Sequence, residues 1–251
     1  MKFGIQLWTV RDVLKDDFSG VLEQLSETSG FQGLEFAFFY GGLKPAELAH
    51  LIKKINMEVS GLFDYLKNFT DPENEIYSYA KSLKSKYLIS SFNEKDLNAD
   101  LDNCLSILSK ACSVAAEKGL AICYHGHPFD YADKNGSCYM ERILEVRDVK
   151  LVPDTGWITH AGKDAVKFME QNADRIPIIH LKDTKADNAI TELGNGIIDL
   201  PAVLDFAAAN NVEWLNYEQD NNFRISSLDS CVKSYEYMQD LKQRKTRGVL
   251  S

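Results

Sequence analysis

The stretch Ile176-Pro-Ile-Ile-His-Leu-Lys-Asp183 begins as the apolar run of a buried strand and ends in a histidine, a lysine and an aspartate. Parallel strands buried on both faces read as such runs. Polar side chains at the end of one need partners or a task. Seven further stretches have strand character: 2–8, 33–38, 57–63, 86–92, 120–125, 149–154 and 214–218. Longer stretches with helical spacing separate them. In Phe18–Gly30 the apolar Phe18, Val21, Leu22 and Leu25 fall at i, i+3, i+4 and i+7, and Gly30 supplies a stop. Similar patterns run over 44–56, with Pro45 in the first turn, over 101–119 and over 200–211.

About eight strand–helix units follow one another with no Pro/Gly/Ser-rich linker between them. Strands joined through helices pair in parallel with right-handed crossovers, and eight units close into a (β/α)8 TIM barrel. The expectation is therefore an α/β barrel forming a single domain over residues 1–251. An open doubly wound sheet would carry a glycine-rich turn after its first strand. Here the first strand runs into Leu7-Trp-Thr-Val-Arg-Asp12 instead.

Composition narrows the function. The 251 residues are 45% hydrophobic, 11% aromatic and 26% charged, which suits an ordinary soluble globular protein with a large core. The formal charge is −9 and the pI about 5.1, against a surface built for phosphate backbones or anionic lipid. Five scattered cysteines (104, 112, 123, 138 and 231) with no Cys-x-x-Cys pair read as reduced thiols. No apolar run approaches membrane-spanning length, and Met1–Trp8 leads straight into a strand, so a cytoplasmic location is expected. The expected partner is a small molecule, not nucleic acid or membrane, with room for a homo-oligomer.

In a TIM barrel, functional groups sit at the carboxyl ends of the strands. His180, Lys182 and Asp183 end the seventh strand, and alternation puts His180 and Lys182 on one face. Glu218 ends the eighth and Asp154 the sixth. The fifth ends in a second alternating pair, His125 and His127. Glu35 lies on the second strand, and the first leads to Gln6, Trp8 and Arg11. Four consecutive strands thus bring a His, an Asp, a His and a Glu to one rim. Mixed imidazole and carboxylate ligands suit one divalent ion: Mn²⁺ first, with Co²⁺, Fe²⁺, Zn²⁺ or Mg²⁺ as alternatives. Each residue also has an ordinary reading, as a hydrogen-bonded histidine, a capping aspartate or a rim ion pair. Gly194 and Gly196 resemble a phosphate loop only superficially. We expect the seventh βα loop there, closing over the site, with Asp199 capping the next helix before Pro201.

The segments Tyr124–Tyr131, Val152–Asp164, Ile178–Lys185, Glu192–Asp199 and Trp214–Asp220, in this order, resemble the sugar phosphate isomerase/epimerase family of xylose-isomerase-like barrels. Gly4–Asp12 and Gly33–Gly42 fit as well, so the resemblance covers nearly the whole chain. Inosose-dehydratase-like and keto-glycoside-processing members are the nearest by motif. Endonuclease IV shares the barrel, but its extra histidines are not evident here. The resemblance implies one metal held by Asp154, His180, Glu218 and a fifth-strand residue. Where many members have Glu, this chain has His125 or His127. We expect His125 as the ligand and His127 as a substrate contact or supporting group.

The implied reaction is isomerisation or epimerisation of a keto sugar through an enediolate. Dehydration or glycoside elimination on the same site is the alternative, and a sugar-binding barrel without catalysis the third reading. The catalytic candidates are Glu218, Lys182 and His127, with Lys182 acidified by a neighbouring cation. Trp8, Arg11, Glu35 and Trp157 are candidate substrate contacts, and Asp183 is expected beside the substrate, orienting His180 or Lys182.

Overall fold

The first strand pairs on one side with the second and on the other with the last, so the sheet curls back on itself. The computed structural model describes residues 1–133 and 136–247. Its parallel strands are β1 (Lys2–Gln6), β2 (Gly33–Ala37), β3 (Glu58–Phe63), β4 (Tyr87–Ser90), β5 (Ala121–His125), β6 (Lys150–Val152), β7 (Ile178–Leu181) and β10 (Trp214–Tyr217). Two short strands, β8 (Asp183–Thr184) and β9 (Ile190–Thr191), form a separate antiparallel hairpin in the loop after β7. The order around the sheet is β6-β5-β4-β3-β2-β1-β10-β7. The seam between β6 and β7 is drawn together by a parallel bridge between Asp154 and His180, with the His180 N–H donating to Pro153 O at 2.9 Å. The expected TIM barrel is the fold observed.

Strands are shorter than the sequence suggests because the chain turns as soon as it clears the barrel. After Gln6 it enters a 3-10 turn, Leu7–Val10, whose Trp8 N–H is capped by the Gln6 side chain. The expected helices appear as Phe18–Thr28, Pro45–Lys54, Leu101–Glu117 and Leu200–Ala209. Asp199 caps the last of these through Ala202 N at 3.0 Å. A 20-residue helix, Ser227–Thr246, follows β10.

Two apolar layers result. The larger packs the helices on the outer face of the sheet. The smaller, Ala37, Phe63, Ile89, Cys123, Val152, Ile178 and Trp214, draws one residue from each of seven strands and fills the interior. Two residues further along β5, β7 and β10, and beyond β6, the same inward-facing positions are held by His125, His180, Asn216 and Asp154, all buried. Alternation therefore carries each strand from core to polar layer in one step of two.

Candidate metal centre

His125, Asp154, His180 and Glu218 each offer one ligand atom, and the four atoms lie within 4.8 Å of one another. His125 Nε2 is 3.5 Å from Asp154 Oδ2 and 3.8 Å from Glu218 Oε2. His180 Nδ1 meets that same Glu218 oxygen at 2.7 Å. Around a tetrahedral ion with bonds of about 2.1 Å, ligand atoms stand about 3.4 Å apart, so the spread is of the right order. The chemistry fits too. Both His125 ring nitrogens are buried without a hydrogen-bond partner, a costly condition that a cation bound at Nε2 would relieve in part.

Local structure aims these groups. Asp154 spends Oδ1 on the Trp157 N–H at 2.8 Å, capping the short helix Thr155–His160, which leaves Oδ2 for the cluster. Thr155 stitches that helix to β7, its hydroxyl accepting from Lys182 N at 3.0 Å and lying 2.8 Å from Lys182 O. Gly156 is required beside it, because a Cβ there would come within 2.7 Å of Lys182 Cγ.

Lys182 is fully buried, its Nζ 2.8 Å from Asp154 Oδ2, 3.4 Å from Glu218 Oε2 and 2.7 Å from Asp220 Oδ2. Angles at these atoms are poor for hydrogen bonds, so these are ion pairs. Burial pulls the ammonium pKa down, but the three carboxylates outweigh it and hold the group above the ordinary lysine value. Burial likewise opposes the charge on His180, yet Glu35 and Glu218 on either side raise it to about 10. Glu218 is held well below the usual carboxylate range: burial pushes it up, and Lys182 and His180 more than reverse that. Asp154 goes the same way, burial being overcome chiefly by Lys182. At Asp220 burial prevails over Lys182, and its pKa rises.

His127 is half-buried beside the cluster, its ring 5.1 Å from that of His125. Burial, then His125 and Lys182, depress it to about 3, so it stands as a neutral imidazole. Trp157 lies under the Lys182 ammonium, 3.9 Å from Nζ to the ring centroid, and its ring is 6.4 Å from that of His127. Trp8 is exposed, with the Arg11 guanidinium 4.6 Å over its ring. Arg11 also donates to Asp220 O at 2.5 Å, tying the first βα loop to the last.

Two residues expected at the substrate are turned elsewhere. Glu35 is fully enclosed and spends Oε2 on His180 Nε2 at 2.9 Å and Asn216 Nδ2 at 2.7 Å. Asp183, immediately after Lys182, points to the opposite face. Its carboxylate accepts the N–H groups of Thr184, Gly194, Gly196 and Ile198 at 2.9–3.3 Å. It thus shapes the seventh loop rather than orienting His180 or Lys182. Further hydrogen bonds anchor that loop to Ser234 and, through Glu192, to Arg224 and Ser230, not to the four-residue cluster. Sequence reasoning missed Asp220 and Asn216. Both lie at steps of two from Glu218, the spacing that singled out Lys182 beside His180.

A family model described as xylose isomerase-like TIM barrel matches residues 22–230. Among curated proteins, the chain is 27% identical to an inosose dehydratase of Mesomycoplasma hyopneumoniae (strain J), over 96% of both chains. Among solved structures, it superposes with a TM-score of 0.76 on a sugar phosphate isomerase/epimerase from Parabacteroides distasonis at 17% identity, covering 95% of this chain and 93% of that one. A structure of the IOLI protein with a bound zinc atom gives 0.69 at 16% identity, covering 96% and 98%. With this match over most of its length and its closed eight-stranded fold, the chain belongs to the xylose isomerase-like TIM barrel family.

Proposed function

We propose that the chain is a divalent-metal-dependent enzyme that takes a proton from the carbon beside the carbonyl of a keto sugar or cyclic keto-polyol and returns it to another face or carbon, as an isomerase or epimerase. One observation carries this reading: four buried ligand atoms from consecutive stretches of the barrel rim converge within 4.8 Å. A bound divalent ion supplies Lewis acidity to a carbonyl and its neighbouring hydroxyl.

The chain's own residues supply the proton chemistry. Glu218, kept ionised by Lys182 and His180, is the acceptor for the carbon-bound proton. Lys182 is a donor rather than an acceptor, since its surrounding carboxylates hold the proton on Nζ. In this reading the ammonium donates to a substrate oxygen. His127, neutral and half-buried at the edge of the cluster, exchanges a hydrogen bond with a substrate hydroxyl. Trp157 and Trp8 offer faces for the apolar side of a sugar ring.

A second reading, elimination of water from an inosose or similar keto-polyol, is favoured by the inosose dehydratase relative aligned over 96% of both chains. In that case Lys182 protonates the departing hydroxyl. Incubating the Mn²⁺- or Zn²⁺-loaded protein with keto sugars and inososes in D₂O distinguishes the readings. Deuterium appearing beside the carbonyl without loss of water supports isomerisation or epimerisation, and loss of water by mass spectrometry supports dehydration. Either activity should vanish in Glu218→Gln. Absence of both exchange and water loss with every substrate, in a protein that holds its metal, would remove both.

A further inference from the structure

Beneath the ligand cluster the barrel interior holds a carboxylate that the proposed chemistry does not use. Glu35 on β2 is 0% exposed, and its Oε1 has no hydrogen-bond partner. Its Oε2 meets His180 Nε2 at 2.9 Å and accepts from Asn216 Nδ2 at 2.7 Å. Asn216 Nδ2 also donates to Ser60 Oγ at 2.9 Å, so a polar chain crosses a barrel interior that branched apolar side chains would ordinarily fill. The backbone yields to it: a Cβ on Gly4 would come within 2.3 Å of Asn216 Oδ1. A charge buried this deeply is costly and calls for a function.

We propose that Glu35 is a positioning residue: it holds His180 by Nε2–H and so turns Nδ1 toward His125, Asp154 and Glu218. The inference rests on the metal-centre reading above. An imidazole carries two nitrogens, and the one that faces a cation is set by the hydrogen bond the other makes. Here the two are assigned by geometry. Nδ1 lies 2.7 Å from the Glu218 oxygen that belongs to the cluster, and Nε2 points to Glu35. The ring stands between the two carboxylates, so Glu35 reaches neither the ion nor a substrate held by it.

Zinc affinity of the full chain, measured by chelator competition, tests this together with the His180 imidazole N–H resonance in NMR. Glu35→Leu should weaken zinc binding by about 10- to 100-fold and abolish the hydrogen-bonded Nε2–H resonance. Glu35→Gln keeps an acceptor without the charge, so it should recover part of the affinity and show the resonance shifted. A folded Glu35→Leu that binds zinc as tightly as the parent overturns the proposal. If that variant does not fold, Glu35→Gln decides, and unchanged affinity with an unshifted resonance overturns it. Should the parent itself bind no zinc, the metal-centre reading fails alone. The Nε2–H resonance of the zinc-free chain then reports whether Glu35 holds the ring, and its absence overturns that as well.

Discussion

At the amino ends of the strands Lys2 meets Glu58 at 2.6 Å and Lys86 meets Glu213 at 3.0 Å, with water reaching all four side chains. At the carboxyl ends Lys182 meets Asp154 at 2.8 Å, and both are fully buried. Each pair sets a lysine against a carboxylate, and the consequences are opposite. Exposed pairs cost little to form and contribute little. Buried ones surrender hydration that their mutual attraction barely recovers, and removing one partner leaves a charge stranded. The lower end of the barrel is therefore tolerant, while the upper end accepts a stability penalty in exchange for concentrated charge. That asymmetry is what a barrel with chemistry at one rim requires.

The largest expected effect is at the upper rim. His180→Ala removes a ligand atom and also leaves Glu35 and Glu218 facing an empty space, so bound metal should be lost. Stability should fall by about 3–5 kcal/mol, the cost of stranding a buried partner. Metal analysis and thermal unfolding check both. Stoichiometric metal in the variant would strike His180 from the ligand set. Lys182→Met comes next. Its apolar stem still packs on Gly156, but three carboxylates lose their cation. Turnover should drop about 10²- to 10⁴-fold while metal is retained. The metal-free variant should unfold more easily than the metal-free parent, and added metal should restore it. Normal turnover would leave Lys182 a bystander.

Asp183→Ala probes the boundary between the two regimes, because its carboxylate is buried yet serves only backbone donors. Losing four charge-assisted bonds should cost about 2–3 kcal/mol and expose the loop 185–197 to proteolysis, with metal content unchanged. An unaltered melting temperature and digestion pattern would show that the hairpin holds that loop without help.

Much of this was legible in the sequence because period-two alternation survives from the apolar interior into the rim. Ile178, His180 and Lys182 form one series, and Trp214, Asn216, Glu218 and Asp220 another. The second was followed only to Glu218, although the same rule extends it to Asp220. Alternation also shows why Asp183 fails as a partner for His180: an odd step from Lys182 puts it on the other face. What no local pattern could supply is pairing across the barrel. Glu35 and His180 are 145 residues apart and meet across the interior because the arc β2-β1-β10-β7 curls into the barrel. The β8–β9 hairpin, two residues per strand, was too short to leave a periodic trace.

The smallest effect is expected at the lower end, from Glu213→Gln. Glu213 accepts from Lys86 Nζ at 3.0 Å and Tyr87 Oη at 3.0 Å, and its side chain is one-third exposed. Burial alone would raise its pKa, but the Lys86 and Tyr87 contacts outweigh this and lower it from the ordinary glutamate value. A carboxylate depressed in the folded state contributes stability that is present above its unfolded pKa and is lost as pH falls through the folded one. The parent and Glu213→Gln should therefore differ by less than about 1 kcal/mol at neutral pH, after screening by solvent. The difference should shrink as acid titrates the parent's carboxylate, and also with added salt. Denaturant unfolding at pH 7 and pH 3, in low and high salt, measures it. A penalty of several kcal/mol that persists at pH 3 would mean that the lower rim is as charge-critical as the upper, and the contrast between the two ends would fall.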